Sequence, residues 1–271
     1  MSKKTDKFEK DVAASVNIGD TLPNDIPAWM REIGVKPGAK VTSVQAQGAI
    51  GGKTDILIKL SDGSPIKISA KMSSAHYFGN WYSHNRILQD FGVRAFNNLT
   101  KDCTQWAKQW AKSPSASFFV GVSICFGKRS GKTAREFTQV FDYQDIVKIV
   151  AGTGKGNSVA NCLLVSNKIP SDLLDLIQKL QPISNEVIQT ISRNFKVVYR
   201  PINPKTERSN RGKCTYTQFR PTKRLSKMTK VDTLKDLTKL GTFELVSPNG
   251  LNHNRLIQNL RTFNIDIPTK K

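Results

Sequence analysis

The chain is short of acid. Its 271 residues carry 42 Lys and Arg against 21 Asp and Glu, a formal charge of +21 at neutral pH. Such an excess repels itself and is usually kept because a polyanion neutralises it, so nucleic acid is the expected partner and an ordinary metabolic enzyme is not. Cysteine is scarce and scattered. Cys103, Cys125, Cys162 and Cys214 form no CxxC and no Cys/His pairing, which excludes a zinc module and a disulfide framework and fits a reducing cytoplasm. No stretch reaches the roughly 18–20 apolar residues of a membrane span. The charged start, Met1 to Lys10, has no apolar h-region, so neither a membrane anchor nor a secretory signal is expected. Hydrophobic residues make up 38% of the chain and recur in short periodic blocks. That excludes collagen, coiled coil and wholesale disorder, and leaves room for one large core or two modest ones.

Periodicity alternates between helix and strand. Phe8, Val12 and Val16 share one face of a helix over 5–17, and Ile26, Trp29, Met30 and Ile33 one over 23–33. The period then falls to two. Strands are expected at 41–44 and 55–60, followed by the Asp62-Gly63 turn and a return strand at 65–71. Helices follow at 98–112, 142–150, 171–180, 185–193 and 254–263, with strands at 117–126, 136–141, 161–165, 195–199 and 242–246. This mixture, with an antiparallel hairpin, predicts an α/β (α+β) fold with a mixed central sheet and flanking helices. The expected organisation is a core over 1–190 and a basic portion over 191–271, packed on the same core.

The hairpin is the first constellation with chemistry in it. Gly51-Gly52-Lys53-Thr54-Asp55 opens one strand and Ser69-Ala70-Lys71 lies on the other. Antiparallel pairing about the 61–64 turn brings Asp55 near residue 70, and alternation puts Ser69 and Lys71 on one face. Asp55 can hold a divalent metal through oxygen, and Lys71 can orient a water and neutralise developing negative charge. The alternative is an ordinary amphipathic hairpin with Asp55 and Lys71 in solvent.

Thr54-Asp55, the turn and Ser69-Ala70-Lys71 resemble, in order and spacing, the active-site hairpin of the PD-(D/E)XK nucleases, above all small type II restriction endonucleases of the MspI kind. The resemblance covers residues 45–75, with the helix around Glu9 fitting the layout. It implies a restriction-endonuclease-like fold and Mg²⁺-dependent cleavage of double-stranded DNA at a short specific sequence. Ser69 stands where the family usually has a second acid, so Glu9 becomes the candidate for the missing carboxylate beside Asp55 and Ser69.

Three further segments are candidates for DNA contact. The run from His76 to Arg86 places His76, Tyr77, Asn80, Tyr82, His84, Asn85 and Arg86 just after Lys71, with groups for base edges, phosphates or stacking. The alternative is that its aromatics pack beneath a loop. His84-Asn85 suggests an HNH nuclease, but no third histidine lies at suitable spacing. Gly127 to Thr133 is one residue short of a phosphate-binding loop and reads into a strand, so Lys128, Arg129 and Lys132 are expected on a basic hairpin. From Arg193 to Lys230, twelve cations face one acid, Glu207, with Tyr199, Tyr216 and Phe219 interleaved. Arg208, Asn210, Arg211, Lys213, Gln218, Arg220, Lys223 and Arg224 are its candidate contacts, and a polybasic loop without sequence preference is the alternative. His253, with no partner in view, is expected at the surface.

Three functions compete: a sequence-specific endonuclease, a non-catalytic nucleic-acid-binding protein, and a structure-selective repair or junction nuclease. Monomer and homodimer stay open.

Overall fold

A computed structural model describes residues 3–47, 52–73, 77–79, 82–127, 131–152, 154–184, 186–187, 190, 196–207 and 213–270. The chain forms two compact units, each discontinuous in sequence: Met1–Phe78 with Tyr143–Asn194, and Gly79–Asp142 with Phe195–Lys271. The sequence reading placed one boundary near 190, whereas the second unit also takes in 79–142.

The first unit is built on a mixed sheet. It contains α1 (Lys3–Ala14), α2 (Ala28–Glu32), β1 (Val41–Ala46), β2 (Ile56–Leu60) and β3 (Ile66–Lys71); the short β4 (Tyr77–Gly79) falls on the boundary between the units and belongs to the other, six-stranded sheet. The sheet runs β1-β2-β3-β7-β8, where β7 is Cys162–Val165 and β8 is Leu180–Pro182. The β3–β7 pair is parallel and the others are antiparallel. The hairpin register aligns Ile56 with Ile68 and Ile58 with Ile66. These four side chains, Ala70, Cys162 and Leu164 form the apolar face that buries Phe8 and Val12 of α1 and Val16 just beyond its end. Each fully buried isoleucine contributes about 1.5–3 kcal/mol. The helix expected over 23–33 is only five residues long. Pro27 lies just before it and disfavours helical backbone at Ile26, so the segment before it runs into the core without helical structure.

The second unit carries α3 (His84–Trp110), β5 (Gly121–Gly127), β6 (Ala134–Glu136) and α4 (Phe137–Val140), then β9 (Lys196–Ile202), β10 (Thr217–Pro221) and β11 (Thr229–Lys230). Its sheet runs β12-β10-β5-β9-β6, with β12 at Gly241–Leu245. Further helices are α5 (Tyr143–Ala151) and α6 (Leu173–Lys179) in the first unit, and α7 (Leu234–Leu240) and α8 (His253–Thr262) in the second. Strand β13 (Ile265–Asp266) pairs in parallel with β11.

Two expectations change here. The helix expected over 98–112 starts at His84, capped by the Ser83 hydroxyl, which accepts from Arg86 N at 3.2 Å. Gly92, at φ 84° and ψ 176°, breaks its course, a conformation glycine adopts without a side-chain clash. The strand expected over 136–141 is a strand only to Glu136. There a reciprocal cap with Gln139 starts α4, and this local hydrogen bonding overrides the apolar alternation. The helix expected over 185–193 falls mostly outside the described residues.

Candidate active site

Asp55, Ser69, Lys71 and Glu9 all lie in the first unit. Asp55 sits one residue before β2, its backbone N–H donating to Ile68 O and its carbonyl accepting from Gln47 N, both at 2.8 Å. Because β2 starts only at Ile56, the Ala70 N–H is satisfied by the Asp55 side chain, donating to Oδ2 at 2.8 Å. Lys71 Nζ donates to the same oxygen at 2.8 Å and to Ala70 O at 2.9 Å. The carboxylate and ammonium side chains are only 10% and 15% exposed. The hairpin is therefore not one with a solvated Asp and Lys. Removing either partner would leave a largely desolvated charge, which is why such a pair is held in one geometry.

Glu9 is buried on α1, and its Oε1 has no hydrogen-bond partner. Burial, reinforced by the Asp55 carboxylate and opposed by the Lys71 ammonium, raises its pKa from 4.5 to about 7. Glu9 thus shares the electrostatic environment of Asp55 and Lys71, and near neutrality it is poised between acid and carboxylate. Ser69 is fully buried, and its Oγ, like that of buried Thr54, has no hydrogen-bond partner. Buried oxygens without a partner cost roughly 1–3 kcal/mol each.

Among the described residues, no three His, Cys, Asp or Glu side chains converge as a metal cage. The donor set is instead two carboxylates and a hydroxyl, with Glu9 Oε1 and Ser69 Oγ unengaged. Hard oxygen donors suit Mg²⁺, which keeps several waters and needs only one or two protein carboxylates when substrate phosphates complete its shell. Asp55 and Glu9, close enough for each charge to be felt by the other, are donors of the type such an ion takes.

The expected DNA contacts divide. Asn85 and Arg86 are exposed at the start of α3, and Arg86 lies over the Tyr82 ring at 4.6 Å and pairs with Asp90. Lys132, Arg220, Lys223 and Arg224 are exposed, with Arg220 pairing to Glu244 at 3.3 Å. Others are corrected by the structure. Tyr82 is buried against Phe91 and Phe126, and its carbonyl accepts from Tyr216 Oη. His84 is buried between Phe96 and Tyr216, with Nε2 at 2.8 Å from Thr215 O. Neither side chain is presented to solvent, because the start of α3 turns this face of the aromatic run into the core. Lys213 is 9% exposed and tied to Glu207 at 2.6 Å. Gln218 is half-buried on β10, its Oε1 without a partner. Tyr199, Tyr216 and Phe219 are core residues. His253 is fully buried rather than at the surface, and burial lowers its pKa. His76, Asn80, Lys128, Arg129, Arg208, Asn210 and Arg211 lie outside the described residues, as does the side chain of Tyr77.

A partly buried ionic network in the second unit has no signal in the sequence. Asp102 receives Arg135 in a two-pronged pair, at 2.7 and 3.1 Å, and the Tyr199 hydroxyl. Its members are far apart in sequence, and none sits in a motif. Among the described residues no helix is long and apolar enough to cross a membrane. Comparison of the chain with protein-family models and with curated proteins finds no match.

Proposed function

We propose that this chain is a metal-dependent endonuclease that hydrolyses phosphodiester bonds of double-stranded DNA at a short specific sequence, as type II restriction endonucleases do. The observation that carries this reading is the shared Asp55 oxygen, gripped by both Lys71 and the Ala70 N–H, beside a buried, proton-holding Glu9 and an unpartnered Ser69 hydroxyl. The order of helix, antiparallel hairpin and parallel fourth strand in the first unit supports a restriction-endonuclease-like fold.

Asp55, with Glu9 and Ser69 as further oxygen donors, would hold Mg²⁺, whose chemistry is to polarise the scissile phosphate and acidify water. The protein side of the reaction follows from the geometry. Lys71 supplies a fixed positive charge against the negative charge that develops on the phosphate oxygens, and its bond to Asp55 aims it before substrate arrives. Glu9 can give up or take a proton near neutral pH, which a carboxyl at its ordinary value cannot do. The exposed cations and amides of the second unit, Asn85, Arg86, Lys132, Arg220, Lys223 and Arg224, are suited to phosphates and base edges.

The test is incubation with plasmid and phage DNA, with Mg²⁺ or with EDTA, and resolution of the products by electrophoresis. Discrete, Mg²⁺-dependent fragments are expected. Nicking or junction-selective cutting would favour a repair nuclease. Retarded but intact DNA would favour a non-catalytic nucleic-acid-binding protein.

A further inference from the structure

The twelve cations between Arg193 and Lys230 are not equivalent in the folded chain. Lys213 pairs with Glu207 at 2.6 Å, Arg220 with Glu244 at 3.3 Å and Lys230 with Asp232 at 3.8 Å. Lys205 is spent on the Asp232 carbonyl at 3.1 Å. Lys223, Arg224 and Lys227 are exposed and, among the described residues, have no acidic partner. No Asp or Glu occurs between Pro221 and Val231.

The loop that carries these three cations is held at short intervals. Thr222 N donates to Leu240 O at 2.9 Å, and Leu225 N to Phe263 O at 3.0 Å. Leu225 O accepts from the Asn264 carboxamide at 2.6 Å. Thr229 N donates to Asn264 O at 2.8 Å, where β11 joins β13. Asn264 has φ 60°, a left-handed conformation that asparagine tolerates, and this residue ties the loop to the end of α8. The backbone is fixed while the charged side chains point to solvent. Ordering of the loop is thus met by folding rather than by binding.

We propose that residues 222–228 form a preformed clamp for the sugar-phosphate backbone of double-stranded DNA, with Lys223, Arg224 and Lys227 each neutralising a phosphate. This rests on the reading of the chain as a DNA-acting protein and assigns the sequence-independent share of its binding to one loop. Phosphates carry no sequence information, so the clamp contributes equally to cognate and scrambled duplexes.

The experiment is fluorescence anisotropy of a labelled duplex in EDTA, which prevents metal-dependent cleavage, from 50 to 200 mM NaCl. Each phosphate neutralised contributes about 0.9 to the logarithmic salt slope. The triple variant K223Q/R224Q/K227Q is expected to lower the slope by about 2.7, roughly a fortyfold smaller loss of affinity across that range. Each single variant should lower it by about 0.9, which keeps the test usable if the triple variant is unstable. Lys230, paired with Asp232, serves as the control, and K230Q should change the slope far less. Asn264→Gly keeps the left-handed backbone but loses the bond to Leu225. It should weaken binding roughly two- to tenfold at every salt concentration, leaving the slope unchanged. Parallel salt plots for wild type and the triple variant would overturn the clamp while leaving the DNA reading in place. A wild-type chain that binds no duplex at 50 mM salt would overturn both.

Discussion

Glu9 offers a test of the site that needs neither DNA nor metal. Burial first, and then the Asp55 carboxylate, raise its pKa from 4.5 to about 7. The unfolded chain releases this proton near 4.5 and the folded chain near 7. Between these values the folded state holds the extra proton, so stability falls as pH rises. The contribution is fully present below pH 4.5 and is lost by about pH 7. At about 1.36 kcal/mol per pH unit the loss approaches 3 kcal/mol. Glu9→Gln has no such proton to lose. Its stability should therefore decline less than that of the wild type from pH 4.5 to 7.5, by about 3 kcal/mol. His84 and His253 act oppositely. Burial lowers their pKa values, so their contribution is present above about 6.5 and is lost as pH falls, and it cancels between wild type and variant. Urea unfolding in EDTA, read by hydrogen exchange at the β2 and β3 amides, reports on the unit that contains Glu9. In Asp55→Asn, where the second cause is gone, the wild-type decline should shift to lower pH. Parallel pH profiles for wild type and Glu9→Gln would refute the placement of a proton-holding carboxyl beside Asp55.

Asp55→Ala and Lys71→Ala should each lower Mg²⁺-dependent cleavage by about a hundredfold or more while leaving duplex affinity within a few-fold, as measured by plasmid cleavage and anisotropy. Ser69→Ala removes an unsatisfied buried hydroxyl and should be neutral or stabilising by about 1 kcal/mol in EDTA, while raising the Mg²⁺ concentration needed for cleavage. An unchanged Mg²⁺ titration would place Ser69 outside the metal site. His84→Ala should destabilise the second unit by about 2–4 kcal/mol in thermal unfolding without altering discrimination between cognate and scrambled duplexes, because the ring is core. Gly52→Ala would put a methyl group 2.8 Å from Ser158 O. It should cost about 1–3 kcal/mol and disturb the approach to Asp55, seen as lower stability together with lower cleavage.

The local parts of this protein are written in its sequence. The Phe8, Val12 and Val16 stripe, the period-two runs on either side of Asp62-Gly63, and the placement of Asp55 opposite Ser69 and Lys71 all follow from helix and strand periods, which are near-neighbour properties of the backbone. A hairpin register is likewise short-range, so the pairing of Ile56 with Ile68 was within reach. What the sequence could not decide depends on partners distant in the chain. The aromatic run before Arg86 read as a recognition loop, but Tyr82 and His84 found Tyr216 and Thr215 more than 130 residues away and became core. The basic segment read as one footprint, yet Glu207, Glu244 and Asp232 each take up one of its cations and leave Lys223, Arg224 and Lys227 outward on a loop fixed by Leu240 and Phe263. Charge composition is additive along a chain. Which charges are neutralised, and which buried carboxyl keeps its proton, is set by the few ångströms between side chains that only the tertiary structure brings together.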